Sequence, residues 1–167
     1  AAVKFAPLRN RERARATADE LRAAGHAAHC IVANITQAAD VKRLVEETVA
    51  TFGGVHILVN NAGAPRDNLL VNMSEEDFDS VVSVHLKGTF NLCRHAAAYW
   101  REEHKKGNVL NGRLINTSSD SGLLNNVGQA NYGAAKAGIA AMTIIADKEL
   151  SRYGVTANAI APGAITR

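Results

Sequence analysis

Short apolar runs alternate along the whole chain with longer segments in which apolar residues recur every three or four positions. The short runs predict strands, and the longer segments predict helices. The predicted strands are residues 3–6, 28–33, 55–59, 114–117 and 155–161. The predicted helices are residues 10–24, 38–52, 74–103 and 131–152. This alternation indicates an α/β fold with a parallel sheet wound on both faces.

Local signals support several of these boundaries. Gly25 follows the first predicted helix, and Gly53 follows the second. Ser74, with Asp77 three residues later, approximates a capping box. Without repeats, low-complexity tracts or linkers, residues 1–167 are predicted to form a single domain.

Polar and small residues follow three of the predicted strands. The segments are Asn60-Asn61-Ala62-Gly63, Ser118-Ser119 and Pro162-Gly163. In a parallel sheet of this kind, ligands bind beyond the carboxyl ends of the strands. We therefore expect these three segments to converge on one cleft.

Tyr132 and Lys136 are four residues apart in a predicted helix and therefore share one face. A phenol titrates near pH ~10. A positive charge ~4 Å from the phenolate would stabilise it by roughly 4 kcal/mol at an effective dielectric of about 20. In bulk water the same charge would contribute only about 1 kcal/mol. Inside a partly closed cleft the pair predicts an acid–base catalyst. A plain surface contact between Tyr132 and Lys136 is the alternative that the pair alone leaves open.

Composition and charge exclude several classes of protein. No apolar run reaches the ~18 residues of a membrane span, and no signal-peptide pattern opens the chain, so we expect a cytoplasmic protein with no membrane partner. The net charge is +3, and the basic residues near the start are interleaved with acids and lack an aromatic platform. This pattern favours a solvated helix face over a nucleic-acid site. Cys30 and Cys93 have no metal-ligand spacing; a disulfide stays open, although two reduced thiols are favoured.

Four separated motifs resemble those of the short-chain dehydrogenase/reductase family. They are Asn-Asn-Ala-Gly at 60–63, Ser119, Tyr132-x-x-x-Lys136, and Pro162-Gly163 after the next strand. Residues 66–70 and 128–132 are similar to 3-oxoacyl-carrier-protein reductases, and residues 84–88 to the hydroxyacyl-CoA dehydrogenase part of multifunctional enzymes. The resemblance implies a Rossmann-type doubly wound parallel sheet. It also implies hydride transfer between NAD(P) and a secondary alcohol or ketone, with a 3-oxoacyl or 3-hydroxyacyl thioester as substrate.

The resemblance assigns roles to four side chains. Tyr132 would be the general acid in reduction and the base in oxidation. Lys136 would support Tyr132 and hold the nicotinamide ribose, and Ser119 would stabilise charge developing on the carbonyl oxygen. A turn cap is the structural alternative for Ser119. His85 stands where most members have an Asn in a proton relay; a relay role and a purely structural role both stay open.

The resemblance also places the cofactor, NAD or NADP, along the loops. The implied contacts are Asn34 and Ile35 at the adenine ring, Asn61, Ala62 and Gly63 at the adenosine ribose, and Pro162, Gly163, Ile165 and Thr166 at the nicotinamide. Arg9, near the end of the template's second strand, could pair with a 2′-phosphate and so favours NADP over NAD.

The sequence departs from the family template at both ends. It contains no Gly-x-x-x-Gly-x-Gly run, so we expect an incomplete fold in which the first strand with its glycine-rich turn, and the last strand, are missing. Unpaired strand edges would follow. Poor cofactor affinity would also follow, because helix N-terminal amides that cradle a diphosphate would be lost.

Two further hypotheses accompany the dehydrogenase interpretation. One is a non-catalytic fragment that acts only as a subunit-interaction module. The other, a sugar-nucleotide epimerase of the extended branch, is disfavoured by Asn-Asn-Ala-Gly. Helices 74–103 and 131–152 correspond to the pair that packs against a second copy in the family, which implies a homodimer or homotetramer, although packing within one chain explains their small residues equally well.

Overall fold

The computed structural model describes residues 2–6 and 11–163, with only the backbone described for 2–6. The strands are β1 (Ala2–Ala6), β2 (Ala28–Val32), β3 (Ile57–Asn60), β4 (Arg113–Thr117) and β5 (Thr156–Ile160). The helices are α1 (Arg11–Ala23), α2 (Ala38–Phe52), α3 (Glu75–Val82), α4 (Gly88–Lys105) and α5 (Ala130–Leu150). Every predicted strand and helix therefore has a counterpart.

All strand pairs are parallel, and they form two separate sheets. β1 pairs with β2, whereas β4 pairs with β3 on one side and β5 on the other. Within residues 2–6 and 11–163, no strand pair joins the two sheets. The α/β fold with an incomplete parallel sheet is confirmed.

The predicted single helix 74–103 is wrong in its middle. Ser74 caps α3 as expected, since its side chain accepts from the Asp77 N–H at 3.1 Å. Residues Ser83–Lys87 then form a π-helical turn before α4 begins at Gly88. A π turn inserts one extra residue into the helical spacing, which the apolar pattern does not reveal. The turn contains His85, which is buried.

Smaller corrections concern element ends. β3 begins at Ile57 and not at Val55, because the Val55 carbonyl accepts a hydrogen bond from the buried Trp100 indole at 2.7 Å. α5 ends at Leu150, and a 3₁₀ turn with left-handed Gly154 (φ 74°) follows it. These turns satisfy the last helical carbonyls and redirect the chain into β5.

One face of the three-stranded sheet is buried. The register aligns Leu58, Leu114 and Ala157, and these buried residues belong to one apolar cluster with Leu92 and Trp100 of α4. Burying a side chain of this size stabilises the fold by about 1.5–3 kcal/mol. This packing fixes β3, β4 and β5 side by side, so their carboxyl ends open at one edge.

Candidate active site

Ser119 is held against α5 by an unusually close backbone contact. It follows β4 and precedes a 3₁₀ turn, Asp120–Gly122, that packs directly on α5. A Cβ atom added to Gly122 would lie 2.7 Å from the Lys136 carbonyl carbon and the Ala137 nitrogen. The neighbouring Ser118 hydroxyl donates to the Lys136 carbonyl at 2.8 Å. Only a residue without a side chain allows this approach.

Lys136 is a buried cation inside the site. The residue is 4% exposed, and Nζ donates to the Thr117 carbonyl at 2.6 Å. Nζ lies 5.5 Å from the centre of the Tyr132 ring, so the two side chains lie on the same side of α5. Burial lowers the pKa of Lys136. The Thr117 hydroxyl is buried without a hydrogen-bond partner among residues 11–163.

His85 contacts both the loop after β3 and Tyr132. Its Nε2 lies 3.1 Å from the Ala64 nitrogen and 3.2 Å from the Ala64 oxygen, and its ring meets the Tyr132 ring edge-on at 5.1 Å. A Cβ atom on Gly63 would lie 1.9 Å from the imidazole. Burial is the main cause that lowers the pKa of His85, and the Lys136 charge adds to it. Within residues 11–163, Nδ1 is buried with no partner.

Ser119 is hydrogen-bonded to the residue that follows it. The Ser119 hydroxyl donates to Asp120 Oδ1 at 2.9 Å, and Ser119 Oγ accepts from the Ser121 N–H at 3.3 Å. The Ser119 hydroxyl, together with the Ser121 N–H, holds the pKa of Asp120 below its usual value. Ser119 itself is 7% exposed, so little of its hydroxyl faces bulk water.

These side chains share one open cleft of about 450 Å³. Predicted site residues in its walls are Ser119, Tyr132, Lys136, His85, Asn61, Gly63, Pro162 and Gly163. The three segments that follow β3, β4 and β5 therefore converge as the parallel sheet requires.

Other predicted site residues lie outside the cleft walls. Asn34 is exposed and its side-chain oxygen accepts from Thr36, while the Ile35 side chain is buried near Gly88. Ala62 packs against the apolar cluster. Arg9, Ile165 and Thr166 lie outside the described residues.

The structure adds cleft residues that the sequence interpretation did not assign. Asp120 and Thr117 are two of them, and Asp67 with Gln129 are two more. The Gln129 amide donates to Asp67 Oδ2 at 2.9 Å and so links two loops at the cleft mouth. Both loops carried a family resemblance, but nothing in their spacing indicated that they touch.

The residues present fit the ribose end of a nicotinamide cofactor. The Lys136 ammonium has three donors, and one of them contacts Thr117. Thr117 lines the same cleft. A ribose diol supplies hydroxyl groups that would accept from the remaining Lys136 donors.

A sequence model described as short chain dehydrogenase matches residues 2–166. The chain belongs to the short-chain dehydrogenase family. A hydroxyacyl-CoA dehydrogenase, ChsB1, from Mycobacterium tuberculosis is 52% identical over 145 residues, which are 86% of this chain and 45% of that protein. A 3-oxoacyl-[acyl-carrier-protein] reductase, FabG, from Staphylococcus aureus is 42% identical over 156 residues, 93% of this chain and 61% of that protein.

A solved short chain dehydrogenase from Mycobacterium avium superposes with a TM-score of 0.90 at 52% identity, covering 92% of this chain and 53% of that one. This short-chain dehydrogenase chain thus spans roughly half to three-fifths of the length of these relatives. In the described part of the chain, none of the helices combines the length and apolarity of a membrane span.

Proposed function

We propose that the protein is an NAD(P)-dependent oxidoreductase that interconverts a secondary alcohol and a ketone. The observation that carries the proposal is the convergence of Ser119, Tyr132 and Lys136 on one cleft. Family membership and the dehydrogenase and reductase names of the relatives support it.

Each side chain has a distinct task in this proposal. Tyr132 donates its phenolic proton to the substrate oxygen in reduction and takes it back in oxidation. The Lys136 ammonium, 5.5 Å from the ring centre and shielded from water, stabilises the phenolate form. The Ser119 hydroxyl donates to the same oxygen as negative charge develops there. The nicotinamide group, when bound, supplies or accepts the hydride.

We propose His85 as the proton relay behind Tyr132. Its ring touches the Tyr132 ring, and its buried Nδ1 has no partner in the described residues. A buried ring nitrogen of this kind needs a water molecule or a ligand group.

The cofactor contacts are proposals that rest on the family resemblance. Lys136 would hold the ribose hydroxyls, and Asn61 with Gly63 would line the adenosine side of the cleft. Ala62, Asn34 and Ile35 do not line the cleft. Ala62 would contact the adenosine ribose, and Asn34 and Ile35 would contact the adenine ring, where the cofactor extends beyond the cleft. Ile165 and Thr166 would extend the nicotinamide side beyond Pro162 and Gly163. Arg9 would favour NADP.

We propose a 3-oxoacyl or 3-hydroxyacyl thioester as substrate and the cytoplasm as the location. The substrate proposal draws on the relatives named hydroxyacyl-CoA dehydrogenase and 3-oxoacyl-[acyl-carrier-protein] reductase.

We also propose a homodimer or homotetramer that packs through the predicted helices 74–103 and 131–152, which correspond to α3, α4 and α5. Phe90 on α4 is 49% exposed, and Ile144 and Ile145 on α5 are 60% and 56% exposed. A groove of about 830 Å³ runs between these helices and includes Phe90 and Ile145. Exposed apolar groups clustered in this way mark protein interfaces. Light scattering on the wild type and an Ile145→Glu variant tests this, with a lower mass expected for the variant.

A substrate and cofactor panel tests the enzymatic function. Purified protein is mixed with simple ketones or 3-oxoacyl thioesters and with NADH or NADPH, and nicotinamide absorbance is followed. The cofactor concentration is raised until the rate no longer increases, because poor cofactor affinity is expected without a glycine-rich turn. Thioester-dependent oxidation, faster with NADPH, is the expected result. The competing function, a non-catalytic subunit-interaction module, predicts a stable oligomer with no turnover of any member of the panel.

A further inference from the structure

The Ser119 hydroxyl proton is already engaged by a carboxylate. Ser119 Oγ donates to Asp120 Oδ1 at 2.9 Å, and both residues line the cleft. A serine hydroxyl has a single proton, and an ionised carboxylate can only accept. Ser119 also accepts from the Ser121 N–H at 3.3 Å. This arrangement leaves Ser119 Oγ with one free lone pair and no free proton.

A ketone and an alcohol place different demands on Ser119. A ketone oxygen only accepts hydrogen bonds, so it needs the Ser119 proton, which is donated to Asp120. An alcohol brings its own proton, which it can donate to Tyr132 or to the free lone pair of Ser119. A hydrogen bond to an ionised acceptor is roughly twice as strong as one between neutral groups. Asp120 therefore competes more strongly for the Ser119 proton than a neutral carbonyl oxygen does.

We propose that Asp120 is a specificity-determining residue that makes the cleft bind the alcohol form of the substrate more tightly than the ketone form. This inference rests on the proposed function and adds a preference between its two substrates. Asp120 acts through Ser119 and is a positioning residue, with no contact to the reacting atoms required.

A purely structural role for Asp120 makes a different prediction. Its Oδ1 also accepts from the Ser121 N–H at 2.7 Å, inside the 3₁₀ turn that Ser119 caps. If holding this turn were the whole role of Asp120, substitution would shift the turn and change the binding of both substrates by a similar factor. Competition for the proton changes ketone binding alone.

The test compares dissociation constants in complexes that cannot react. The ketone probe is the N-acetylcysteamine thioester of 3-oxobutanoic acid, bound with oxidised cofactor. The alcohol probe is the corresponding 3-hydroxybutanoic thioester, bound with reduced cofactor. In Asp120→Ala, ketone affinity should rise about fivefold to tenfold while alcohol affinity changes less than about twofold, because one competing charge-assisted hydrogen bond is removed. Asp120→Asn should fall between, since its amide oxygen still accepts but carries no charge.

Two controls separate the hydrogen bond from other effects. Asp67→Asn removes a carboxylate from the same cleft without touching Ser119, and it should leave the ketone-to-alcohol ratio unchanged. In a Ser119→Ala background, Asp120→Asn should no longer alter that ratio. Asp120→Asn keeps an oxygen for the Ser121 N–H, so it remains informative if the alanine variant does not fold.

The outcomes distinguish this inference from the proposed function. The inference alone is overturned if the wild-type protein turns over the probes and both Asp120 variants shift the two dissociation constants equally. Wild type that binds neither probe and turns over no ketone overturns the proposed function, and the inference with it.

Discussion

Replacing Gly122 by Ala should push the Ser119 turn away from α5. The added Cβ would lie 2.7 Å from backbone atoms of Lys136 and Ala137, whereas ordinary contacts begin near 3.4 Å. Relief requires a shift of about 0.7 Å, and a helix backbone cannot yield as a flexible side chain does. Overpacking of this kind costs about 1–3 kcal/mol of stability. A displacement near 1 Å at reacting groups can cost on the order of 100-fold in rate.

For Gly122→Ala we therefore expect kcat/KM to fall on the order of 10- to 100-fold, and the free energy of unfolding to fall by about 1–3 kcal/mol. Steady-state kinetics and urea unfolding measure the two effects. Gly138→Ala is the matched control, because Gly138 lies on α5, the helix that Gly122 contacts, and its Cβ would lie nearest the flexible end of Leu86 at 3.1 Å. The control should keep wild-type kinetics and gain up to ~1 kcal/mol from helix propensity. Wild-type stability and kcat/KM in Gly122→Ala would refute the close-packing argument.

Three further predictions follow from buried groups. Trp100→Phe should lower the free energy of unfolding by about 2–4 kcal/mol in urea titrations, because the Val55 carbonyl loses its 2.7 Å partner and a void opens; a change under ~1 kcal/mol would contradict this. Burial lowers the pKa of His85, so its stabilising contribution is fully present above its unfolded value of 6.5 and is lost as the pH falls through the lower folded value. His85→Asn should therefore flatten the stability–pH curve between 6.5 and that folded value. Burial raises the pKa of the Cys93 thiol to about 11. A disulfide reagent at neutral pH should therefore label the half-exposed Cys30 quickly and Cys93 only after denaturation. Equal labelling rates for the two thiols would contradict the burial of Cys93.

The fold was predictable wherever local signals agreed with the packing. Helix α2 spans the predicted residues, because an apolar stripe and the left-handed Gly53 (φ 80°) act together. The π turn around His85 was not predictable, since residue spacing does not reveal where an extra residue enters a helix. Val55 was placed in a strand by its apolar neighbours, although its carbonyl is turned toward Trp100.

At the site, too, local contacts were predictable from the sequence and tertiary contacts were not. Tyr132 and Lys136 meet because four residues make about one helical turn, a local rule that the sequence carries. The Ser119–Asp120 hydrogen bond depends on side-chain orientation in a 3₁₀ turn, which spacing does not encode. The contact between Asp67 and Gln129 joins distant loops and needed the tertiary structure.

The sharpest test of the proposed chemistry in the cleft is the turnover of the Tyr132→Phe variant. The control is Tyr153→Phe, because Tyr153 does not line the cleft. Loss of a general acid–base group predicts a kcat lower by about 100- to 10,000-fold for Tyr132→Phe, with unchanged folding by circular dichroism, and near wild-type kcat for Tyr153→Phe. A folded Tyr132→Phe protein that keeps wild-type kcat would contradict the role of Tyr132 as the general acid and base.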